Sequence, residues 1–321
     1  MILAVVLIGL CVRISVRDEV PYLATIYYST PLSLLFFGSV TAWLLLRKQC
    51  SAVTRYTLTA LTIGCAVAFG MLHYHTPMPT DSAQSAAAID VIEGNENRSR
   101  SAMRIAFWNV ARGRFGWDAV FEAIEDFDAD VIGLVECTEP WGKLTDRLQT
   151  DFPDYEVARF DHGMVILSRF PIVSFENREC KVANINSLKP IAYFGLAHLR
   201  MGAHSLPVII ADIDSDPLYF RKRPIESLLS IANEFQNQPT VILGDFNTPT
   251  DSVFVAGLRT DYANAFEQAG HGIDCTWPVP FPVMAIDQMW VSRHWKLRTT
   301  RLGWSWLSDH RPIISDVLLP K

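Results

Sequence analysis

Apolar and polar positions divide this chain into two regimes. Up to Thr76 the apolar runs are nearly unbroken. Residues 21–46, PYLATIYYSTPLSLLFFGSVTAWLLL, and 56–75, YTLTALTIGCAVAFGMLHYH, contain no Asp, Glu, Lys or Arg, and each approaches the span of about 20 residues that crosses a bilayer. Tyr and Trp stand near their ends, where a membrane interface favours them. A buried helix of a soluble protein would give one such run. Two in succession, followed by an unrelated polar segment, predict two transmembrane helices. The opening MILAVVLIGLCV is short for a span and lacks the basic start and small-residue cleavage site of a secretory signal; it reads as a third helix or an interfacial segment.

Beyond residue 103 the apolar runs shorten and alternate with amphipathic stretches. Strands are predicted at 104–110, 130–136, 164–168, 191–199, 208–213, 240–244, 286–291 and 313–318. Helices are predicted at 117–127, 141–149, 223–236 and 261–268. Elements mixed in this way suit one layered α/β domain. The chain therefore divides into a membrane region over 1–76, a small-residue polar linker over 77–102 and a folded domain over 103–321.

Charge refines this picture. Arg47, Lys48 and Arg55 lie between the two predicted spans, so the positive-inside rule puts that loop in the cytoplasm and the folded domain outside it, at the inner cell membrane. Within 103–321, 21 basic residues face 28 acidic ones, a net of −7. Tight, nonspecific binding to nucleic acid depends on cations displacing counterions from phosphate, and this balance disfavours it. Arg221, Lys222 and Arg223 form a local basic cluster, which either steers an anion or, as slightly favoured, is a solvated helix start. The six cysteines include no CxxC pair, so neither a zinc site nor a redox motif is indicated, and Cys137, Cys180 and Cys275 allow one bridge at most.

Asn109, Glu136, Asp245, Asn247, Asp287, Asp309 and His310 all sit at or beside the ends of apolar strand runs, where loops build sites. In VILGDFNTP, a buried strand meets a glycine that frees the backbone, then a carboxylate and an amide two residues apart; the same residues also suit an ordinary turn. In SDHRPI an Asp precedes a His, and the distant Asp287 offers the carboxylate that an imidazole needs for orientation. Carboxylate and amide oxygens suit a hard cation such as Mg²⁺. Such an ion, an activated water and donors facing the phosphorus are what phosphate-ester hydrolysis requires.

Six fragments in order, IAFWNV, DVIGLVE, GMVILSRFPI, VILGDFNTP, IDQMWVS and SDHRPI, resemble the endonuclease/exonuclease/phosphatase superfamily, the deoxyribonuclease I-like proteins, over residues 104–318. The resemblance implies a four-layer α/β sandwich of two packed mixed sheets flanked by helices. It implies Glu136 as principal Mg²⁺ (or Mn²⁺) ligand, supported by Asn109 and Asp309. Asp245 would align or deprotonate the attacking water, Asn247 would hold it or a phosphate oxygen, and His310, oriented by Asp287, would contact the phosphate. Many members of the superfamily carry a His after the strand corresponding to 208–213. This chain reads ADIDSDP there, leaving Asp212 or Asp214 as substitutes or as plain loop residues, while His162 can face the same rim.

The expected function is thus a membrane-anchored metal-dependent phosphoesterase, with a monomeric catalytic domain acting on a lipid headgroup or small phosphoester. Alternatives are a phospho-ligand binding protein without turnover and an extracytoplasmic endonuclease. Nucleic acid is the less favoured partner.

Overall fold

The computed structural model describes residues 1–77, 102–138, 143–184 and 187–318. The predicted linker falls almost wholly outside them. The chain opens with helices α1 (Ile2–Ser15), α2 (Pro21–Ser29), α3 (Leu32–Leu46) and α4 (Ala52–His73). Helix α4 is long and apolar enough to cross a membrane: 22 residues at about 1.5 Å each match a hydrocarbon core of about 30 Å. The single helix expected over 21–46 is instead a pair, α2 and α3, meeting at 65°. Pro31 is the N-cap of α3, and a proline ring opposes continuation of a preceding helix. Both helices touch the folded domain: Thr25 Oγ1 of α2 donates to the Pro217 carbonyl, and Ser33 Oγ at the head of α3 donates to the Val283 carbonyl.

The folded domain holds two six-stranded sheets. The first contains β2 (Ala102–Asn109), β3 (Val131–Val135), β4 (Glu156–Arg159), β5 (Val165–Ser168), β13 (Lys296–Leu302) and β14 (Ile313–Leu318) in the order β13-β14-β2-β3-β5-β4. The second contains β6 (Ile172–Asn184), β7 (Ser187–Met201), β8 (His204–Ile213), β9 (Val241–Asp245), β10 (Tyr262–Asn264) and β12 (Asp287–Ser292) in the order β10-β12-β9-β8-β7-β6. The remaining strands, β1 (Tyr74–His75) and β11 (Gly272–Ile273), pair with each other.

Alternation along the strands builds the layers. Ile105, Phe107 and Val135 from the first sheet meet Val208, Ile210, Val241, Leu243, Met289 and Val291 from the second in one buried core. The opposite face of the first sheet, with Trp108, Ile132 and Leu134, packs on α5 (Trp117–Glu125) and α6 (Lys143–Asp151) through Phe121, Ile124 and Leu148. The outer face of the second, with Ile209, Ala211 and Ile242, packs on α7 (Lys222–Asn233) through Ile225 and Leu228. Gly133 is required for this closeness, because a Cβ there would lie 2.2 Å from Leu243 Cδ1. The result is the four-layer α/β sandwich, helix on sheet on sheet on helix.

Two expectations change. The helix expected over 261–268 begins as strand β10, whose last residue Asn264 caps the short α8 (Ala265–Ala269) by accepting from Phe266 N and Glu267 N. The Arg221 to Arg223 cluster is not simply a solvated helix start: Arg221 is 1% exposed, donating to Tyr219 O and Asn247 O under the ring of Tyr28.

The helices and the folded domain share polar contacts. Arg13 pairs with Asp251 at 2.9 Å. The buried Asp18 accepts from Ser252 Oγ, Val253 N and Tyr28 Oη. At the end of α4, His73 Nδ1 lies 2.6 Å and His75 Nε2 3.1 Å from the two oxygens of Asp274. These bonds hold the Asp274 carboxyl below its ordinary range despite burial that pushes the other way. All six cysteines are free thiols.

Candidate active site

The inward-facing row of each strand continues past the core to one rim, where its last members are polar. Asn109 ends β2, Asp245 ends β9 and Asp287 begins β12, on the same faces as Phe107, Leu243 and Met289. Cross-strand register aligns them further. Tyr193 faces Asp212, Asp212 faces Asp245, and Asp245 faces Asp287, so four adjacent strands of one sheet present a single row.

Gly244 serves this row in a way different from the backbone freedom expected of it. It lies inside β9 without a positive φ, and a Cβ would sit 2.2 Å from the Ala211 carbonyl oxygen. Close approach of β8 to β9, which sets Asp212 beside Asp245, is what demands glycine. The strand then stops, because Asn247 turns to φ 44°. Its backbone N–H donates to Asp245 Oδ1 at 3.0 Å and its Nδ2 to the Ile213 carbonyl at 2.8 Å.

His310 Nδ1 lies 2.9 and 3.1 Å from the two oxygens of Asp287 and 3.9 Å from Asp245 Oδ2. Its loop is fixed by Ser308, whose Oγ donates to Asn109 O and accepts from His310 N, and by the Trp108 indole, which donates to His310 O. Burial works against the imidazolium, but Asp287 outweighs it and His310 is held well above its ordinary range. Burial, reinforced by Asp287, likewise raises the Asp245 carboxyl.

Asn109 joins this cluster to the other sheet. Its Nδ2 donates to Asp245 Oδ2 at 3.0 Å and to Glu136 Oε1 at 3.3 Å, while its Oδ1 accepts from Ala111 N. Facing the amide nitrogen to two carboxylates is the assignment that the bonding demands. In this arrangement Asn109 orients Glu136, and its oxygen is turned away towards Ala111.

Glu136 follows β3 at φ 54°, and Ala111, Arg112, His162 and Asn247 around the rim also have positive φ. L-residues pay for this conformation in strain, which packed surroundings must hold. Glu136 Oε2 pairs with Arg112, whose side chain is 72% exposed, and Asp309 pairs with the half-exposed Arg114 and the Trp277 indole. Both carboxylates expected to hold a metal therefore have their charge balanced by exposed guanidinium groups, which a divalent cation can displace. Oxygen donors of this kind fit a hard cation. Among the described residues, donor atoms lie close enough to share an ion at Asp245, Asp287 and His310, the residues expected to do proton chemistry, and at His73, Asp274 and Cys275.

Sequence reasoning placed His162 at the rim without a partner. The structure gives it one. His162 Nδ1 lies 3.1 Å from Asp212 Oδ2, and its ring stacks on Tyr193 at 4.1 Å and 9°. Asp214, by contrast, caps its own turn by accepting from Asp216 N.

Comparison with known proteins places this geometry. The model for the Endonuclease/Exonuclease/phosphatase family matches residues 106–310. The chain is 26% identical over 234 residues to the Escherichia coli (strain K12) protein YbhP, covering 64% of this chain and 90% of that one. Among solved structures it resembles an endonuclease/exonuclease/phosphatase family protein of Bacteroides thetaiotaomicron, with TM-score 0.57 and 15% identity over 69% of this chain and 99% of that one. It also resembles a mannosyl-6-phosphatase of Bacteroides thetaiotaomicron VPI-5482, with TM-score 0.55 and 16% identity over 67% and 99%.

Proposed function

This chain belongs to the Endonuclease/Exonuclease/phosphatase family, and we propose on that premise that it is a membrane-anchored phosphoesterase that uses a divalent cation and one activated water. The observation that carries the reading is Asn109, whose amide ties Glu136 of one sheet to Asp245 of the other beside the His310–Asp287 pair.

Glu136 and Asp309 would hold Mg²⁺ or Mn²⁺, with Asn109 keeping Glu136 in place. When bound, the ion neutralises phosphoryl oxygens and lowers the charge barrier to attack. Asp245 aligns the water and accepts its proton, Asn247 fixes the turn in which Asp245 ends, and His310, fixed by Asp287, donates to a phosphoryl oxygen. The buried Asp287 carboxylate favours the imidazolium needed for that donation.

The contacts of α1, α2 and α4 with the catalytic domain support a substrate reached near the bilayer, a lipid headgroup or small phosphoester. With α4 running outward from the loop of Arg47, Lys48 and Arg55, the catalytic domain lies outside the cytoplasm.

Purified full chain should hydrolyse phosphoesters only with Mg²⁺ or Mn²⁺ present. Absence of turnover across phospholipid, sphingomyelin, sugar phosphate and DNA substrates overturns the reading. For topology, a membrane-impermeant maleimide should spare Cys50 in intact spheroplasts and label a Ser174→Cys variant; the reverse pattern overturns the orientation.

A further inference from the structure

The row Tyr193, Asp212, Asp245, Asp287 carries an imidazole at each side of its central carboxylate. Adjacent strands are about 4.8 Å apart, so Asp212 and Asp287 flank Asp245 at one strand spacing on opposite sides. Asp287 holds His310 at 2.9 Å, and Asp212 holds His162 at 3.1 Å.

The two pairs differ in access. The side chain of His310 is 8% exposed and that of His162 54%. His162 arrives from the other sheet, in the turn between β4 and β5, and three contacts fix it. Its Nδ1 meets Asp212, its ring lies flat on Tyr193, and the carbonyl of the next residue, Gly163, accepts from Cys137 N at 2.8 Å, one residue past Glu136. The backbone at His162 is held at φ 61°, which a β-carbon resists. An imidazole pinned on one face and at Nδ1, strained in its backbone and open to solvent, has Nε2 left for a further partner.

In-line displacement at phosphorus puts the entering and leaving oxygens on opposite sides. The entering water must lose a proton and a leaving alkoxide must gain one. Asp245 takes the first of these roles, and the more exposed His162–Asp212 pair beside it suits the second. We propose that His162, positioned by Asp212 and Tyr193, protonates the leaving alcohol oxygen of the phosphoester; this rests on the phosphoesterase reading above.

In the step, the water oxygen bonds to phosphorus as the bond from phosphorus to the leaving oxygen breaks. The electron pair of that bond goes to the leaving oxygen, which takes the proton from His162 Nε2. The proton lost by the water returns to the imidazole through solvent, so one phosphodiester and one water give one monoester and one alcohol. The hydrogen bond that His162 makes to the Asp212 carboxylate raises the imidazole above its ordinary value against the opposing effects of burial and Arg112, in keeping with a ring that carries the proton it gives.

The test uses full-length protein with Mn²⁺ and methyl aryl phosphates whose phenols range from 4-nitrophenol to unsubstituted phenol. Asn tolerates the left-handed backbone better than most residues, so His162→Asn preserves the fold. The variant should lose about 10²- to 10⁴-fold on the phenol ester and only a few-fold on the nitrophenol ester, whose leaving group needs no proton. Asp212→Asn should shift the same way by a smaller factor. Equal loss on all esters, or none on any, overturns the assignment of His162 while leaving the phosphoesterase reading intact. A wild-type protein inactive on every ester overturns both.

Discussion

Asn109, at the end of a strand in one sheet, donates its amide at 3.0 Å to Asp245, at the end of a strand in the other. The candidate site thus straddles the interface between the sheets, and its geometry depends on how they pack. Asn109→Ala should leave two carboxylates without their shared donor. A kcat loss of about 10²-fold is expected with little change in KM; steady-state kinetics beside a thermal melt checks it, and a loss explained by unfolding would contradict it.

Glu136→Ala removes the carboxylate that the Asn109 amide orients. Titration calorimetry with Mn²⁺ should lose its high-affinity heat, and turnover should fall to background. Unchanged metal binding would assign the cation to Asp245, Asp287 and His310 instead.

Asp274→Ala leaves the His73 and His75 imidazoles without their acceptor, a cost of about 1–3 kcal/mol for a buried group. The folded Asp274 carboxyl lies below its ordinary value, so its contribution is full above the ordinary carboxylate range and fades as pH falls through the folded value. Melts of wild type and variant should therefore stay apart at neutral pH and converge only in strong acid. Convergence already near pH 6 would contradict this.

Gly244→Ala sets a methyl 2.2 Å from the Ala211 carbonyl oxygen, and the backbone cannot yield as a side chain would. A destabilisation of about 1–3 kcal/mol or more is expected, read as a lower denaturation midpoint. Loss of activity should accompany it, because β8 and β9 carry Asp212 and Asp245.

The strands of the inter-sheet core were legible because they are short apolar runs closed by turn residues. The predicted strands at 208–213, 240–244 and 313–318 all fall on observed ones. Strands β6 and β13 were not, since IVSFENRECKVAN and KLRTTRL carry charge on exposed faces and lack a continuous apolar run. The bend between α2 and α3 had a signal in Pro31, outweighed by the hydropathy around it. At the site, residue types and order were readable from strand ends. Pairings were harder: His162 and Asp212 are 50 residues apart and His73 and Asp274 are 201, and only the sheet order brings such partners together. The family resemblance implied Asn109 as a metal ligand, whereas the orientation of its amide depends on a carboxylate 136 residues away.

The segment from Asp274 to Thr276 does two things at once. Asp274 receives the histidines at the end of α4, and two residues later Thr276 Oγ1 accepts the backbone N–H of Asp287, the carboxylate that steers His310. The same three residues thus join the end of the helix to the strand that carries Asp287. Any tilt of α4 against the domain would therefore bear on the backbone behind the imidazole.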